Sequence, residues 1–155
     1  MEIPITIGRA TLSDLEEIVA IEESCLSSEE IVSYEFLEES IRKIADTFLV
    51  ARDENQLVGY VLGGSQSLHP TWIEIRSFAI HPDHRGQGLG TLLLASLKQV
   101  AVEGEYEYLR LTCPDDLFSY FEMNGFVEEE VPEASYARFS GWDLIWANPF
   151  YQEEV

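Results

Sequence analysis

Residues 73–90 read IEIRSFAIHPDHRGQGLG: an apolar strand, a proline-marked turn, a run of glycines and the start of a helix. Gly86, Gly88 and Gly90 carry no Cβ, so successive backbone N–H groups can curve toward one anion at close range. The helix beginning near Gly88 adds the unpaired N–H groups of its first turn and the positive end of its dipole, and Arg85 adds a full charge. This is a cradle suited to a pyrophosphate; the plainer reading is a glycine turn that only joins strand to helix. Two familiar phosphate loops do not fit. A P-loop needs Gly-Lys-Ser/Thr, and the dinucleotide fingerprint needs glycine where Thr91 stands, three residues after Gly88.

The flanking segments alternate between strand and helix. Ile3 to Arg9 reads as a strand, and Thr11-x-x-Asp14 caps a helix in which Leu15, Ile18, Val19 and Glu22 keep helical spacing. A second helix is expected from Ser33 to Ala45. Strands follow at Thr47 to Arg52 and Leu57 to Gly64, joined through a polar four-residue loop, Asp53-Glu54-Asn55-Gln56. The strand Thr71 to Ile80 precedes the glycines. The helix Gly88 to Glu103 is apolar at Leu89, Leu93, Leu97 and Val100 and stops at Gly104. Tyr108 to Cys113 is a strand, Pro114 with Asp115 and Asp116 opens a short helix, and Asn124-Gly125 closes it. Phe126 to Val131 and Trp142 to Ala147 read as closing strands around a looser segment, Pro132 to Gly141. The mixed order argues an α/β fold.

Composition narrows the class. At 155 residues and 46% hydrophobic content, residues 1–155 are expected to form a single domain with one sizeable core. No targeting segment and no apolar run of membrane-spanning length is evident. Cys25 and Cys113, without a CxxC, point away from a disulfide framework or a zinc site and fit a cytoplasmic setting. The formal net charge of -20 would repel nucleic acid and anionic membranes. It serves either solubility or the attraction of cationic amines.

Arg85-x-x-Gly88-x-Gly90, placed after a strand and before a helix, resembles the acetyl-CoA signature of the GNAT superfamily of N-acetyltransferases. Gly8-Arg9-Ala10-Thr11 with Asp14-Leu15 resembles the start of many such domains, and the likeness spans almost the whole chain. RSFAIHPDHRGQGLG with the later LTCPDDLFSYFEMNGF is most similar to arylalkylamine N-acetyltransferases, although those carry two histidines where Glu74 and Arg76 stand here. The resemblance implies a GNAT-type mixed, mostly antiparallel sheet flanked by helices. It also implies acetyl-CoA as co-substrate with no metal, and transfer to a primary amine of a small cationic or aromatic molecule by direct attack in a ternary complex. A protein lysine or N-terminal acceptor, and a non-catalytic acetyl-CoA-binding module, are the alternatives. Monomer and homodimer both stay open.

Site residues follow from the same likeness. The N–H groups of Arg85, Gly86, Gln87, Gly88, Leu89, Gly90 and Thr91 would hold the pyrophosphate, and the backbone of Phe78, Ala79 and Ile80 would pair with the pantetheine arm. The N–H of Phe78 or a neighbour would polarise the thioester oxygen. On the signature strand, Ile73, Ile75, Ser77 and Ala79 share one face and Trp72, Glu74, Arg76, Phe78 and Ile80 the other, unless a bulge intervenes. Charges on a covered strand are costly unless paired or facing a wet cleft, so Glu74 and Arg76 mark either a salt-bridged pair or an active site.

An alkylamine with a pKa near ~10 must lose a proton before it attacks. Glu74, six residues before Ile80, stands where several GNAT enzymes carry a catalytic glutamate, and would act directly or through water. The tyrosine that many members use to protonate the departing thiolate is replaced by Phe121; Tyr120 should point about 100° away on a helix. Cys113 and Ser119 are other nearby donors, and a thiolate can leave without one. His69, His81 and His84 read as turn residues. Candidates for acceptor recognition are Glu23, Ser27, Tyr34, Trp72 and Trp142, with cation–π and ionic contacts to an amine in view.

Overall fold

Strand periodicity and turn chemistry divide the chain into short alternating segments. The computed structural model describes residues 5–25, 32–43, 45–64, 71–129 and 141–152. The order in them is β1 (Ile5–Arg9), α1 (Leu15–Cys25), α2 (Tyr34–Lys43), β2 (Phe48–Asp53), β3 (Gln56–Gly64), β4 (Trp72–Ile80), α3 (Leu89–Glu103), β5 (Tyr108–Cys113), α4 (Asp115–Met123), β6 (Val127–Glu128) and β7 (Trp142–Ala147).

Most limits agree with the sequence reading to within a residue or two. The second helix is shorter than expected, because a single 3-10 turn at Ala45–Thr47 takes over before β2. The hairpin loop is also shorter: Asp53 pairs with Gln56, so only Glu54 and Asn55 turn, with Glu54 in the left-handed region at φ 57. β6 is only two residues long, and residues 130–140, where the looser segment was expected, lie outside the described residues. So do Ser27 and His69.

The seven strands form one sheet in the order β1-β2-β3-β4-β5-β7-β6. Every neighbouring pair is antiparallel except β4 with β5. This is the mixed, mostly antiparallel sheet flanked by helices that the sequence implies.

The helices cover the two faces unequally. Leu89, Leu93, Leu94, Leu97 and Ala101 of α3, with Phe121 of α4, pack one face against Val61, Ile73, Ile75, Leu109, Leu111 and Leu144. Leu15, Ile18 and Ile21 of α1 and Leu37 and Ile41 of α2 pack the other against Phe48, Val50, Tyr60, Leu62 and Ala79. Each fully buried leucine or isoleucine contributes about 1.5–3 kcal/mol of transfer free energy. Thr11 and Asp14 close a capping box, and the buried Asp14 pairs with Arg52 of β2, tying the start of α1 to the sheet.

The simple alternation expected along β4 fails at one point. Leu62 pairs with Ser77 but Gly63 pairs with Ile75, which leaves Arg76 without an opposite number. That β-bulge shifts the side chains by one position. Ile73 and Ile75 face α3, and beyond the bulge Phe78 and Ile80 do so as well, while Ser77 and Ala79 turn toward α1 and α2.

Candidate active site

The same bulge lies where the sheet opens. β4 and β5 pair only at Trp72–Tyr108, Ile73–Leu109 and Glu74–Arg110, although both strands run on. Past Glu74 they separate. The amide directions in that stretch follow from one hydrogen bond: His81 donates its N–H to the Val58 carbonyl at 2.8 Å, so His81 and Ala79 point toward β3. Phe78 and Ile80 therefore aim their N–H and C=O groups into the gap. The Ile80 carbonyl accepts from the Cys25 thiol at 3.3 Å and from Arg85 Nε at 3.4 Å, both from outside the sheet.

At its wide end the gap opens into a cleft of about 540 Å³. Phe78, Ala79 and Ile80 form one wall, and Arg85, Gly86, Gly88, Leu89, Gly90 and Thr91 form the end where α3 begins. Leu117, Tyr120 and Phe121 of α4 form the other wall. Gly86 and Gly88 have φ of 81° and 78°, the left-handed region that turns successive N–H groups to one side. Helical bonding starts only with the N–H of Leu92, which donates to the Gly88 carbonyl, so the N–H groups of Leu89, Gly90 and Thr91 have no helical acceptor. Gly90 is needed for another reason. A Cβ there would collide with the Tyr120 hydroxyl and come within 3.1 Å of the Phe78 ring. The residues expected to hold a pyrophosphate and a pantetheine arm thus share one cleft. Gln87 lies in the same loop, exposed.

Other expected residues fall elsewhere. Glu74 and Arg76 are not a pair. Glu74 stands 3.8 Å from Arg110, which also holds Glu129 at 2.8 Å and Asp143 at 3.5 Å, while Arg76 lies over the Phe36 ring at 5.7 Å. Burial by itself would weaken the hold of Arg110 on its proton, but those three carboxylates outweigh it and raise its proton affinity. Glu74 is on the strand that lines the cleft but four residues before Phe78, beyond the bulge.

Trp72 stacks on Tyr108 at 5.6 Å. Trp142 packs on Phe118 and donates to Asp115, on the α4 side of the sheet. Glu23 and Tyr34 are exposed.

Phe121 is buried among Phe78, Tyr120 and Phe126. Tyr120, expected to point away, reaches into the cleft after all. Because Gly90 has no side chain, the ring can lie across the start of α3, stacked with Phe78 at 6.4 Å. Ser119 is exposed, and Cys113 is buried, its thiol pushed up by burial and by Asp116 and Asp115. His81 does sit in a turn, where its Nδ1 accepts from the Asp83 N–H. His84 closes the same turn, but its side chain is not on the surface: it is 16% exposed, lines the cleft and approaches Asp53 at 3.9 Å.

Nothing in the sequence sets Glu22 and Cys25 apart from the rest of the α1 stripe. Glu22 occupies the apolar stripe of α1, a carboxylate at a core spacing, and is 1% exposed. Burial raises its proton affinity despite a hydrogen bond from the Val32 N–H at 2.9 Å and the nearby Tyr60 hydroxyl. Cys25, one turn further on, lines the cleft. Helical spacing from Leu15 and Ile18 was the available signal for both.

The sequence matches the acetyltransferase (GNAT) family over residues 14–126, so the chain belongs to that family and is an acetyl-CoA-dependent acetyltransferase. Solved structures are similar over nearly the whole chain. Ard1 from Thermoplasma volcanium has a TM-score of 0.77 at 21% identity, covering 96% of this chain and 99% of its own. The ribosomal-protein-S18-alanine N-acetyltransferase from Escherichia coli gives 0.76 at 17% identity, over 98% and 99%. The PaiA N-acetyltransferase from Thermoplasma acidophilum, solved in complex with coenzyme A, gives 0.73 at 19%, over 93% and 99%. At these identities the likeness is one of fold. No curated protein matches the sequence. Among the described residues, no helix is long and apolar enough to cross a membrane.

Proposed function

We propose that the protein transfers an acetyl group from acetyl-CoA to a primary amine of a small cationic or aromatic molecule, by direct attack in a ternary complex. The observation that carries this reading is the gap between β4 and β5, which exposes the Phe78 N–H and leads without interruption to the glycine cradle at the start of α3. In it, the N–H groups from Arg85 to Thr91 hold the pyrophosphate, and the backbone of Phe78, Ala79 and Ile80 pairs with the pantetheine arm. The Phe78 N–H is a fixed donor for the oxygen that gains charge as the amine attacks. Glu74 takes the proton of the amine through a water. The thiolate leaves unaided or takes the proton that the new amide nitrogen gives up.

The formal charge of -20 favours a cationic acceptor by long-range attraction. The sequence likeness to arylalkylamine N-acetyltransferases adds an aromatic option. A second reading, in which the acceptor is a protein N-terminus, draws on the fold shared with the ribosomal-protein-S18-alanine N-acetyltransferase.

Acetyl-CoA consumption, followed with a panel of aliphatic diamines, arylalkylamines and alanine-led peptides, separates the two. Turnover confined to peptides would overturn the small-amine reading. Glu74→Gln is expected to lower kcat at neutral pH about tenfold or more, the usual scale for losing a general base. An unchanged kcat removes Glu74 from the mechanism.

A further inference from the structure

The half-buried cations among the described residues are Arg52, Arg76, Lys98 and Arg110. Arg52 pairs with Asp14, Arg110 with three carboxylates, and Lys98 donates to the Asn124 carbonyl. Arg76 alone holds no oxygen of any described residue. Its guanidinium lies over the Phe36 ring, 5.7 Å from the centroid, a cation–π contact that leaves its fork of N–H donors without an acceptor. The chain has 29 acidic residues against 9 basic ones, yet none of the described carboxylates comes within ion-pairing reach of it. A half-buried charge without a counter-ion is costly unless a group from outside completes it.

The position of Arg76 says where that group comes from. Arg76 is the bulge residue that nothing on β3 opposes, and β4 parts from β5 directly after Glu74. Phe36 packs on the α1 and α2 side of the sheet, so Arg76 faces away from α3. Glu74 does so too, because Ile73 and Ile75 on either side of it face α3; its side chain is 31% exposed. The cleft is lined from both sides of the sheet, by Leu89 and Tyr120 on one and by Cys25 of α1 on the other, so the gap passes through. A coenzyme on the α3 side and an acceptor on the α2 side can meet in it. Two residues of strand span ~7 Å, which keeps Glu74, Arg76 and Phe78 within the length of one small molecule.

We propose that the acceptor amine carries a carboxylate, which Arg76 binds while the nitrogen stands between Glu74 and the Phe78 N–H. The inference rests on amine acetylation in the gap, as proposed above, and narrows the acceptor to amino-acid-like molecules. Guanidinium and carboxylate match as a planar, two-pronged pair, which fixes the direction of the acceptor as well as its place. Arg76 determines specificity in this scheme and takes no part in proton transfer. The net charge of -20 does not oppose it: the pairing is short-range, and an amino acid with a second ammonium still arrives as a cation.

The test uses acceptors that differ only by the carboxylate: L-phenylalanine against phenethylamine, and L-lysine against 1,5-diaminopentane. Wild type is expected to favour the carboxylated member of at least one pair about tenfold or more in kcat/KM, the scale of a charge-assisted hydrogen bond. Arg76→Gln should erase that preference, chiefly through KM, and leave the carboxylate-free member within about threefold of wild type. Arg76→Lys, which keeps the charge and loses the fork, should fall between. Coenzyme A affinity, read by calorimetry, should stay within about twofold in both variants, which shows them folded. A wild type that favours the carboxylate-free member of both pairs overturns the proposal, and so does a preference that survives in Arg76→Gln.

Binding to the coenzyme A complex is independent of turnover. N-acetyl-L-phenylalanine is expected to bind wild type at least about tenfold more tightly than N-acetylphenethylamine, and Arg76→Gln should bind the two alike. Absence of that difference in wild type overturns the role of Arg76. If no acceptor is acetylated while the difference is present, small-amine acetylation fails and the carboxylate site at Arg76 stands.

Discussion

Gly86, in the loop before α3, and Gly90, in the first turn of α3, are needed for different reasons. At Gly86, φ is 81° and nothing lies within 4 Å of an added Cβ, so alanine meets only backbone strain, about 1–3 kcal/mol for a non-glycine residue held there. At Gly90 an added methyl meets the Tyr120 hydroxyl and the Phe78 ring, and the cleft narrows where α3 begins. Gly90→Ala is therefore expected to weaken coenzyme A binding at least about tenfold, equivalent to about 1.4 kcal/mol, and well beyond Gly86→Ala. Calorimetry on both variants checks the order.

Glu22 makes a second prediction, about stability. Its proton affinity is raised from the ordinary value of 4.5 in the folded state, so the folded form favours the neutral acid. The stabilising contribution is complete below that ordinary value and is lost as pH rises through the higher folded one. Glu22→Gln keeps an acceptor for the Val32 N–H and removes the titration. Its urea midpoint should fall less than that of wild type between ~pH 5 and ~pH 8.

α3 carries the mouth of the cleft on its first turn and the core on its flank. Leu97 is 0% exposed and sits amid the larger hydrophobic cluster, whereas Leu92 is 40% exposed. Leu97→Ala should cost about 2–5 kcal/mol, transfer plus cavity, and Leu92→Ala about 0.5 kcal/mol or less. Paired urea denaturation curves measure both. If Leu92→Ala costs as much as Leu97→Ala, the face assigned to the core is wrong. β4 shows how one extra residue sets up the site. The unpaired Arg76 swings Phe78 to the α3 side and Ser77 to the α1 side, so a single strand contributes an aromatic wall to the cleft and a buried hydroxyl, bonded to Tyr60, to the core beneath α1.

The charge of the whole protein acts in opposite senses on the anionic coenzyme and on the cationic acceptor proposed above. With 29 acidic and 9 basic residues, its field repels the anionic coenzyme at long range, although the proposed cradle at Arg85 to Thr91 would attract it close in. Raising the ionic strength from ~0.01 M to ~0.15 M shortens the screening length from ~30 Å to ~8 Å. The association rate of coenzyme A, read by stopped-flow, should rise with salt, while KM for a cationic acceptor should rise as its attraction is screened. A fall in the coenzyme rate would mean that the local charge of Arg85 outweighs the net charge.

Much of this was legible in the chain. The limits of β5, the start of α3 after Gly88 and the end of α4 at Asn124-Gly125 follow from periodicity and turn chemistry confined to a few neighbouring residues. The glycine turn before α3 was legible for the same reason, since Gly86 and Gly88 set it through their own left-handed backbone. The bulge at Arg76, the tie of Glu74 to Arg110 rather than to Arg76, and the burial of Glu22 beside Tyr60 were not. Each depends on a partner far along the chain: Arg110 meets Glu129 across 19 residues, and Tyr60 meets Ser77 across 17. Tyr120 was misjudged because helical geometry gives a direction relative to its own axis, and only the neighbouring glycine on α3 makes room in that direction. Local backbone preference thus named the elements and the glycine turn that opens α3. The pairing of distant strands decided which side chains face the chemistry, because register and burial arise only when segments remote in sequence pack together.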